Sequence, residues 1–391
     1  HTAYRRQRQM CIRDSGSGVV RNDGTLVAAP DGAILLVADK VINTGTMQVR
    51  GGTIGMVSAD QLQVSGDWKT AVAGSLAMAD VSDVTIDNLG RIDVSGLQGG
   101  QISLKGGNGT TQSGGELLAA GEQGRGGSIH LSGMRVGLLR GSLTDASGAS
   151  GGGDVLVGGD WQGGGSMEHA SATYMDADAV IRVNATAQGD GGKAVLWSDG
   201  YTNFRGQIQA NGAGAGNGGQ VETSGKDILD ALGSVTARGV QAGNWLLDPS
   251  NVTIVSGPDT GTVTYPYNPT AATGMISNGE INAALDNNTV VTISTTLGVG
   301  GTVGVGHLIQ NDDADIVKST PGEATLRLIA DLDLVLNGNI TANNGKLNVW
   351  LSASGAADNG SGAILVNKDI STNGGTLDFR SGVYTGGTSD Q

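Results

Sequence analysis

Gly126-Gly-Ser-Ile-His-Leu-Ser-Gly133 is one of five stretches built on a single plan: a glycine pair, small or apolar residues alternating with polar ones, then glycine or serine. The others are Gly99-Gly-Gln-Ile-Ser-Leu-Lys-Gly106, Gly152-Gly-Asp-Val-Leu-Val-Gly-Gly159, Gly191-Gly-Lys-Ala-Val-Leu-Trp-Ser198 and Gly218-Gly-Gln-Val-Glu-Thr-Ser-Gly225. Their starts lie 27, 26, 39 and 27 residues apart, so one interval carries an insertion of about half a repeat. A unit of this length cannot close a core by itself. It must stack on its neighbours.

Each of these strands follows a second short strand and a glycine-rich turn. Arg91-Ile-Asp-Val-Ser-Gly96 precedes the first copy, Val180-Ile-Arg-Val-Asn184 the fourth and Gln207-Ile-Gln-Ala-Asn-Gly212 the fifth. Period-two alternation turns Ile102 and Leu104, Ile129 and Leu131, Val155 and Val157, Ala194 and Leu196, and Val221 and Thr223 inward. The alternate set, including Gln101, Ser103, Lys105, Ser128, His130 and Glu222, is expected to face water. Parallel strands stacked in register give an all-β fold, a parallel β-helix.

The same logic extends in both directions. Gly24-Thr-Leu-Val-Ala28, Gly32-Ala-Ile-Leu-Leu36 and Thr46-Met-Gln-Val49 alternate with Asn-Asp-Gly and Pro-Asp-Gly turns, whose residues tolerate positive φ. Strands are expected again at Val290-Val-Thr-Ile-Ser294, Ala324-Thr-Leu-Arg-Leu-Ile329, Lys346-Leu-Asn-Val-Trp350 and Thr376-Leu-Asp-Phe379. Pro249, Pro258, Pro266 and Pro269 cannot donate to a ladder, which places an excursion or boundary at 248–274. Just beyond, Ser277-Asn-Gly-Glu280 has capping-box spacing, with Ile281, Ala284 and Leu285 at helical intervals, so one short helix is expected near 278–286. The resulting organisation is a non-native or disordered segment at 1–15, coils at 16–247, the excursion, and further coils at 275–391 that end in mid-pattern. Some fifteen coils rising about 4.8 Å each would form a rod of roughly 70 Å.

Composition agrees. Glycine supplies 69 of 391 residues, about 18% against a usual 7%, which rules out long helices. The hydrophobic fraction of 38%, recurring with period two, argues against disorder. The formal charge is −14, and the opening residues hold Arg5, Arg6, Arg8 and Arg13 against Asp14, so the rest of the chain is at −17. Such acidity disfavours nucleic acid and anionic membrane as partners. Cys11 is the sole cysteine, which excludes disulfides and thiolate metal sites in the coils. No apolar run approaches the ~20 residues of a membrane-spanning helix.

A β-helix that cleaves polysaccharides needs two carboxylates roughly 5 to 9.5 Å apart. Asp176 with Asp178, Asp312 with Asp313 and Asp315, and Asp331 with Asp333 qualify by proximity, but in sequence none has a histidine or basic clamp beside it, and aspartate is a common turn residue. His1, His130, His169 and His307 are scattered without metal-ligand spacing. Gly158-Gly-Asp160 lacks the nine-residue periodicity of calcium β-rolls, and Gly212-Ala-Gly-Ala-Gly216 lacks the Gly-Lys-Ser/Thr ending of a phosphate loop. Of Trp68, Trp161, Trp197, Trp245 and Trp350, Trp197 falls on an outward register, where packing beneath an excursion is favoured over stacking on a sugar. Sequons at Asn108, Asn184, Asn251, Asn339 and Asn359 are what asparagine-rich turns generate by chance. No catalytic, cofactor or metal residue is assigned, and no cofactor is expected.

Four segments carry a family resemblance: Gly152-Gly-Asp-Val-Leu-Val-Gly-Gly-Asp-Trp-Gln-Gly163, Val195-Leu-Trp-Ser-Asp-Gly-Tyr-Thr-Asn-Phe-Arg-Gly206, Gly218-Gly-Gln-Val-Glu-Thr-Ser-Gly-Lys226 and Trp245-Leu-Leu-Asp-Pro-Ser-Asn-Val-Thr-Ile254. In that order they resemble the exoproteins of two-partner secretion, of the filamentous haemagglutinin type. Ile281-Asn-Ala-Ala-Leu285 leading to Val291-Thr-Ile-Ser-Thr295 resembles the same family's helix-then-strand segment. The resemblance implies a right-handed β-helix, export through an outer-membrane β-barrel transporter, and display or release at the surface of a Gram-negative bacterium as an adhesin that meets a host glycan or protein receptor. The family's N-terminal secretion domain, with its Asn-Pro-Asn motifs, is not visible, and Val19 to Val57 resembles at most its distal coils. The alternatives are a carbohydrate-active β-helix enzyme and a structural spacer that carries a distal effector.

Overall fold

In the computed structural model, residues 18–59, 62–64, 71–73, 83–257, 273–295, 306–353 and 362–381 are described. The segment 1–15 lies outside them, as do Pro258, Pro266, Pro269 and Trp68. The chain winds through three sheets in turn, and each strand pairs in parallel with its counterpart one coil away. The first sheet has 13 strands, the second 8 and the third 12. One middle coil illustrates the path: Arg135–Leu138 on the first sheet, Leu143–Asp145 on the second and Asp154–Val157 on the third. The expected all-β parallel β-helix is the fold observed.

The glycine pairs sit at the corner between the second and third sheets, and close approach rather than positive φ explains them. A Cβ on Gly127 would stand 1.9 Å from the Gly100 carbonyl oxygen, one on Gly153 2.0 Å from that of Gly127, and one on Gly192 2.0 Å from that of Gly153. No real Cβ fits such a gap. The repeated motif therefore records a backbone corner that recurs once per coil.

Inward residues pile into continuous files. On the third sheet Ile54, Ile102, Ile129, Val155, Ala194, Val221, Trp245, Val291, Leu326 and Val349 pair in succession. All ten inward residues expected from the five repeats are fully buried. Sequence reading did not foresee that the first sheet also turns a polar ladder inward. Asn22 Nδ2 donates to Asn43 Oδ1 at 2.8 Å, Asn43 Nδ2 to Asn88 Oδ1 at 2.8 Å, and Asn88 Nδ2 to Ser113 Oγ at 3.0 Å. Each buried amide thus finds its partner in the next coil.

Several segments leave the column. Leu62–Val64 and Ala71–Ala73 pair antiparallel between the second and third coils. Inside 248–274, Val252–Val255 is itself a strand of the first sheet. It does not stack on Ile228–Ala231, because the later strand Gly274–Ser277 lies between them. The chain thus overshoots by one level and returns. Such excursions consume residues without adding levels, so among the described residues the thirteen strands of the first sheet, at about 4.8 Å each, span roughly 58 Å against the roughly 70 Å expected for the whole chain.

The helix is Asn278–Asp286, capped by Ser277, whose hydroxyl accepts from Gly279 N–H at 3.1 Å. Ile281, Ala284 and Leu285 are buried, as their spacing predicted. It takes the place of a second-sheet strand, packing against Ser234–Thr236 on one side and Ile316–Lys318 on the other. A helix about 10 Å across fills roughly two strand spacings, which matches the extra first-sheet strand at this level. Lys318 is fully buried beneath the helix C-terminus, its Nζ donating to Leu285 O at 3.1 Å, Asn288 Oδ1 at 2.9 Å and Thr320 Oγ1 at 3.4 Å. There it satisfies a carbonyl of the last turn and opposes the helix dipole.

Two stability outcomes are expected by urea denaturation. Gly127→Ala lowers stability by at least about 2 kcal/mol, because backbone rather than a flexible side chain must yield. Lys318→Met keeps the apolar stem but removes the charge-assisted bonds to the Leu285 carbonyl and Asn288 Oδ1, costing about 1–3 kcal/mol.

Candidate functional site

Outward residues of the third sheet also form files, and one runs Ser103, His130, Leu156, Val195, Glu222, Leu246, Thr292, Arg327, Trp350, Asp378. Its middle is covered. Residues 158–171, the insertion behind the 39-residue interval, leave after Asp154–Val157 and fold back across the sheet. Asp160 Oδ1 accepts from Trp161 N–H at 2.7 Å, starting the turn Trp161–Gly163, and Lys193 Nζ meets the same carboxylate at 2.9 Å. Gln162 adopts φ 52°, a left-handed conformation unusual for a residue with a side chain.

Beneath the insertion Leu156, Val195 and Trp197 form a small apolar cluster with Trp161 and Met167, separate from the main column. Trp197 is on its outward register yet only 3% exposed, the packed outcome favoured from sequence. Gly159 and Gly163 permit this, because a Cβ on either would lie 2.4 and 2.6 Å from the indole. His169 packs against the same ring at 6.0 Å between centroids, and its Nδ1 lies 3.2 Å from Asp199 Oδ1.

Glu222 departs from expectation. Alternation placed it in water, but it is fully buried because the insertion covers it. Gln162 N–H donates to its Oε2 at 2.7 Å, while Oε1 has no hydrogen-bond partner among the described residues. Burial pushes the carboxyl up to about 7; Asp160 adds to the rise, whereas the Gln162 N–H, Ser224 and Lys193 oppose it. His130, three strands away in the same file, is pushed below the usual histidine range by burial. The cluster unites a carboxyl, an imidazole, an ion pair and an indole from four coils.

The acidic groups singled out from sequence have other occupations. Asp176 and Asp178 face Arg140 Nε at 3.9 and 3.4 Å, so this pair does have a basic neighbour. Beside it on the outer face of the first sheet, Tyr174 is pushed up to about 12 by burial and then by Asp176. In the next coil the Tyr201 hydroxyl donates to Asp230 Oδ2 at 2.7 Å and accepts from Asn203 Nδ2 at 2.6 Å. Asp315 Oδ1 accepts from Asn339 N–H at 2.7 Å, fastening one coil to the next, with Asp312 and Asp313 in the preceding turn. Asp333 has a histidine neighbour that sequence proximity hid: His307 Nδ1 stands 3.5 Å from Oδ2.

Asn184, Asn251 and Asn339 use their side chains in turn hydrogen bonds, as with Asn251 Oδ1 accepting from Gly306 and His307 N–H at 2.9 Å. Asn359 lies outside the described residues. Among the described residues no three His, Cys, Asp or Glu side chains converge as metal ligands. Trp350 lies between two guanidinium groups, Arg327 at 5.7 Å and Arg380 at 4.4 Å from the ring. A shallow groove of about 380 Å³ runs along the glycine corner, lined by Thr53, Gln101, Ser128 and Asp154 over a backbone floor.

No family model matches the chain, and no curated protein matches it. Among solved structures it is similar to the crystal structure of the HMW1 secretion domain from Haemophilus influenzae. The likeness is partial. Identity is 28%, the TM-score is 0.45, and the alignment covers 59% of this chain and 66% of that one.

The Tyr201 network supplies a check on the outer face. Tyr201→Phe leaves Asp230 and Asn203 each short of one hydrogen bond in a buried setting, and is expected to cost about 1–3 kcal/mol in chemical denaturation.

Proposed function

We propose that this chain is part of a secreted, surface-displayed exoprotein of the two-partner type, whose coils present an adhesive lateral surface. The observation that carries the reading is the long parallel stack, in which outward side chains recur in files at about 4.8 Å intervals, most continuously along the twelve strands of the third sheet. Such a surface offers many similar weak contacts, and avidity multiplies them without a deep pocket. The family motifs quoted above lie on these same coils. Export through an outer-membrane β-barrel suits the topology as well, because each coil adds to the one before it and folding can propagate along the stack.

Binding is preferred to catalysis because Asp176, Asp178 and Asp315 are already engaged. Asp176 and Asp178 face Arg140, and Asp315 holds the Asn339 backbone. The receptor is proposed to be a glycan or protein of a host surface.

The test is adhesion of beads coated with purified protein to epithelial monolayers and to a glycan array. Coated beads are expected to bind at least about 100-fold better than the soluble protein, through avidity. Binding no stronger than that of an unrelated β-helical protein overturns the adhesive reading. Turnover on a polysaccharide panel, abolished by Asp312→Asn, Asp313→Asn or Asp315→Asn, would replace it with the enzymatic one.

A further inference from the structure

The insertion over the third sheet joins it through a narrow base and is hydrogen-bonded within itself. Its two ends are pinched together, with Ala170 N–H donating to Gly158 O at 2.7 Å. Gly158, Gly163 and Gly165 adopt φ of 79°, 63° and 69°, conformations that glycine takes without strain. Inside, Gly163 N–H donates to Asp160 O at 3.0 Å and Gly164 N–H to Trp161 O at 2.9 Å, so the turn keeps its own shape. Residues 159–169 can therefore lift on this narrow base while the coils remain paired.

Trp161 and Met167 pack on the Leu156, Val195 and Trp197 cluster, and three polar tethers accompany that apolar contact. The Asp160–Lys193 and His169–Asp199 pairs are partly exposed, with side chains 27–51% accessible, and such pairs contribute little. The third tether is buried: Gln162 N–H on Glu222 Oε2, beside the unpartnered Oε1. A carboxylate enclosed with one oxygen unpaired costs far more than a neutral carboxyl in the same place.

We propose that residues 159–169 form a lid latched through Glu222, which stays shut while that carboxyl is protonated and lifts more readily once it ionises. Lifting would uncover Leu156, Val195 and Trp197, changing part of a polar outer face into an aromatic one.

The sign follows from linkage. With the lid shut the carboxyl sits at about 7, against an ordinary 4.5 in water, so the closed form binds the proton more tightly. Closure contributed by Glu222 is complete below about 4.5, is lost as pH rises through about 7, and is constant above. Asp160 on the lid reinforces this trend and Lys193 on the floor weakens it. His130, which also feels Asp154, Asp160, Lys193 and Lys105, is shifted downward by burial, so its protonation works against closure. The lid is thus tightest in weak acid.

Hydrogen exchange across residues 159–169, corrected for intrinsic rates, is the measurement. Between pH 5.5 and 8.5 protection of the wild type is expected to fall by one to two orders of magnitude, about 100-fold at most. Over the same range the amides of Lys193–Ser198 and Gln220–Gly225 stay protected. Glu222→Gln is expected to flatten the lid's pH profile. A wild-type profile that is already flat, or a Glu222→Gln profile matching the wild type, overturns the proposal. Should that variant not fold, the ¹³C carboxyl titration of Glu222 in the wild type decides: a midpoint near 7 that coincides with lid opening supports the latch, and one near 4.5 refutes it.

Discussion

The contact on which everything else rests is between backbones, at the corner where the second sheet turns into the third. There the second glycine of each pair lies against the carbonyl of its counterpart one coil below, with no room for a Cβ. This approach fixes the spacing at which coils can stack, and it holds the following strand in register. The inward files of isoleucine, leucine and valine follow, since a slip of one residue would turn every apolar side chain to water. Glycine, costly in an ordinary strand, is here the condition for stacking at all.

The same register discipline lets polar residues live inside. Asn22, Asn43 and Asn88 occupy equivalent places in successive coils, so each amide donates to the next coil, and Asn43 and Asn88 also accept from the last. Where the periodicity breaks at Asn278–Asp286, the fold compensates with specific groups. An extra first-sheet strand accompanies the width of the helix, and the buried Lys318 ammonium meets its exposed carbonyl end. A defect in a solenoid is tolerated when its unpaired groups find partners inside it.

Function is read on the outer surface, where coverage rather than periodicity governs chemistry. Glu222 and Trp197 are outward by alternation and buried by the insertion, and this conflict produces a carboxyl that titrates near neutrality. Elsewhere on the faces some charged groups are paired while partly hydrated, as with Arg140 beside Asp176 and Asp178. The adhesive surface proposed for the rod and the lid set into it are therefore different properties of one face.

The chain's own order determined the coil: glycine pairs at near-constant spacing, alternation that assigned every inward aliphatic of the five repeats, and the capped apolar stripe of the helix. Each of these depends on residues within a few positions of one another, which a linear reading can see. Only the tertiary structure decided that Glu222 is dry, that Val252–Val255 lies beyond Gly274–Ser277, that His307 faces Asp333, and that asparagines line up inside the first sheet. Those outcomes join residues 21 to 60 positions apart, as with Gln162 and Glu222. The reason is physical: periodicity fixes which way a side chain points, but its solvation depends on what the rest of the chain lays over it.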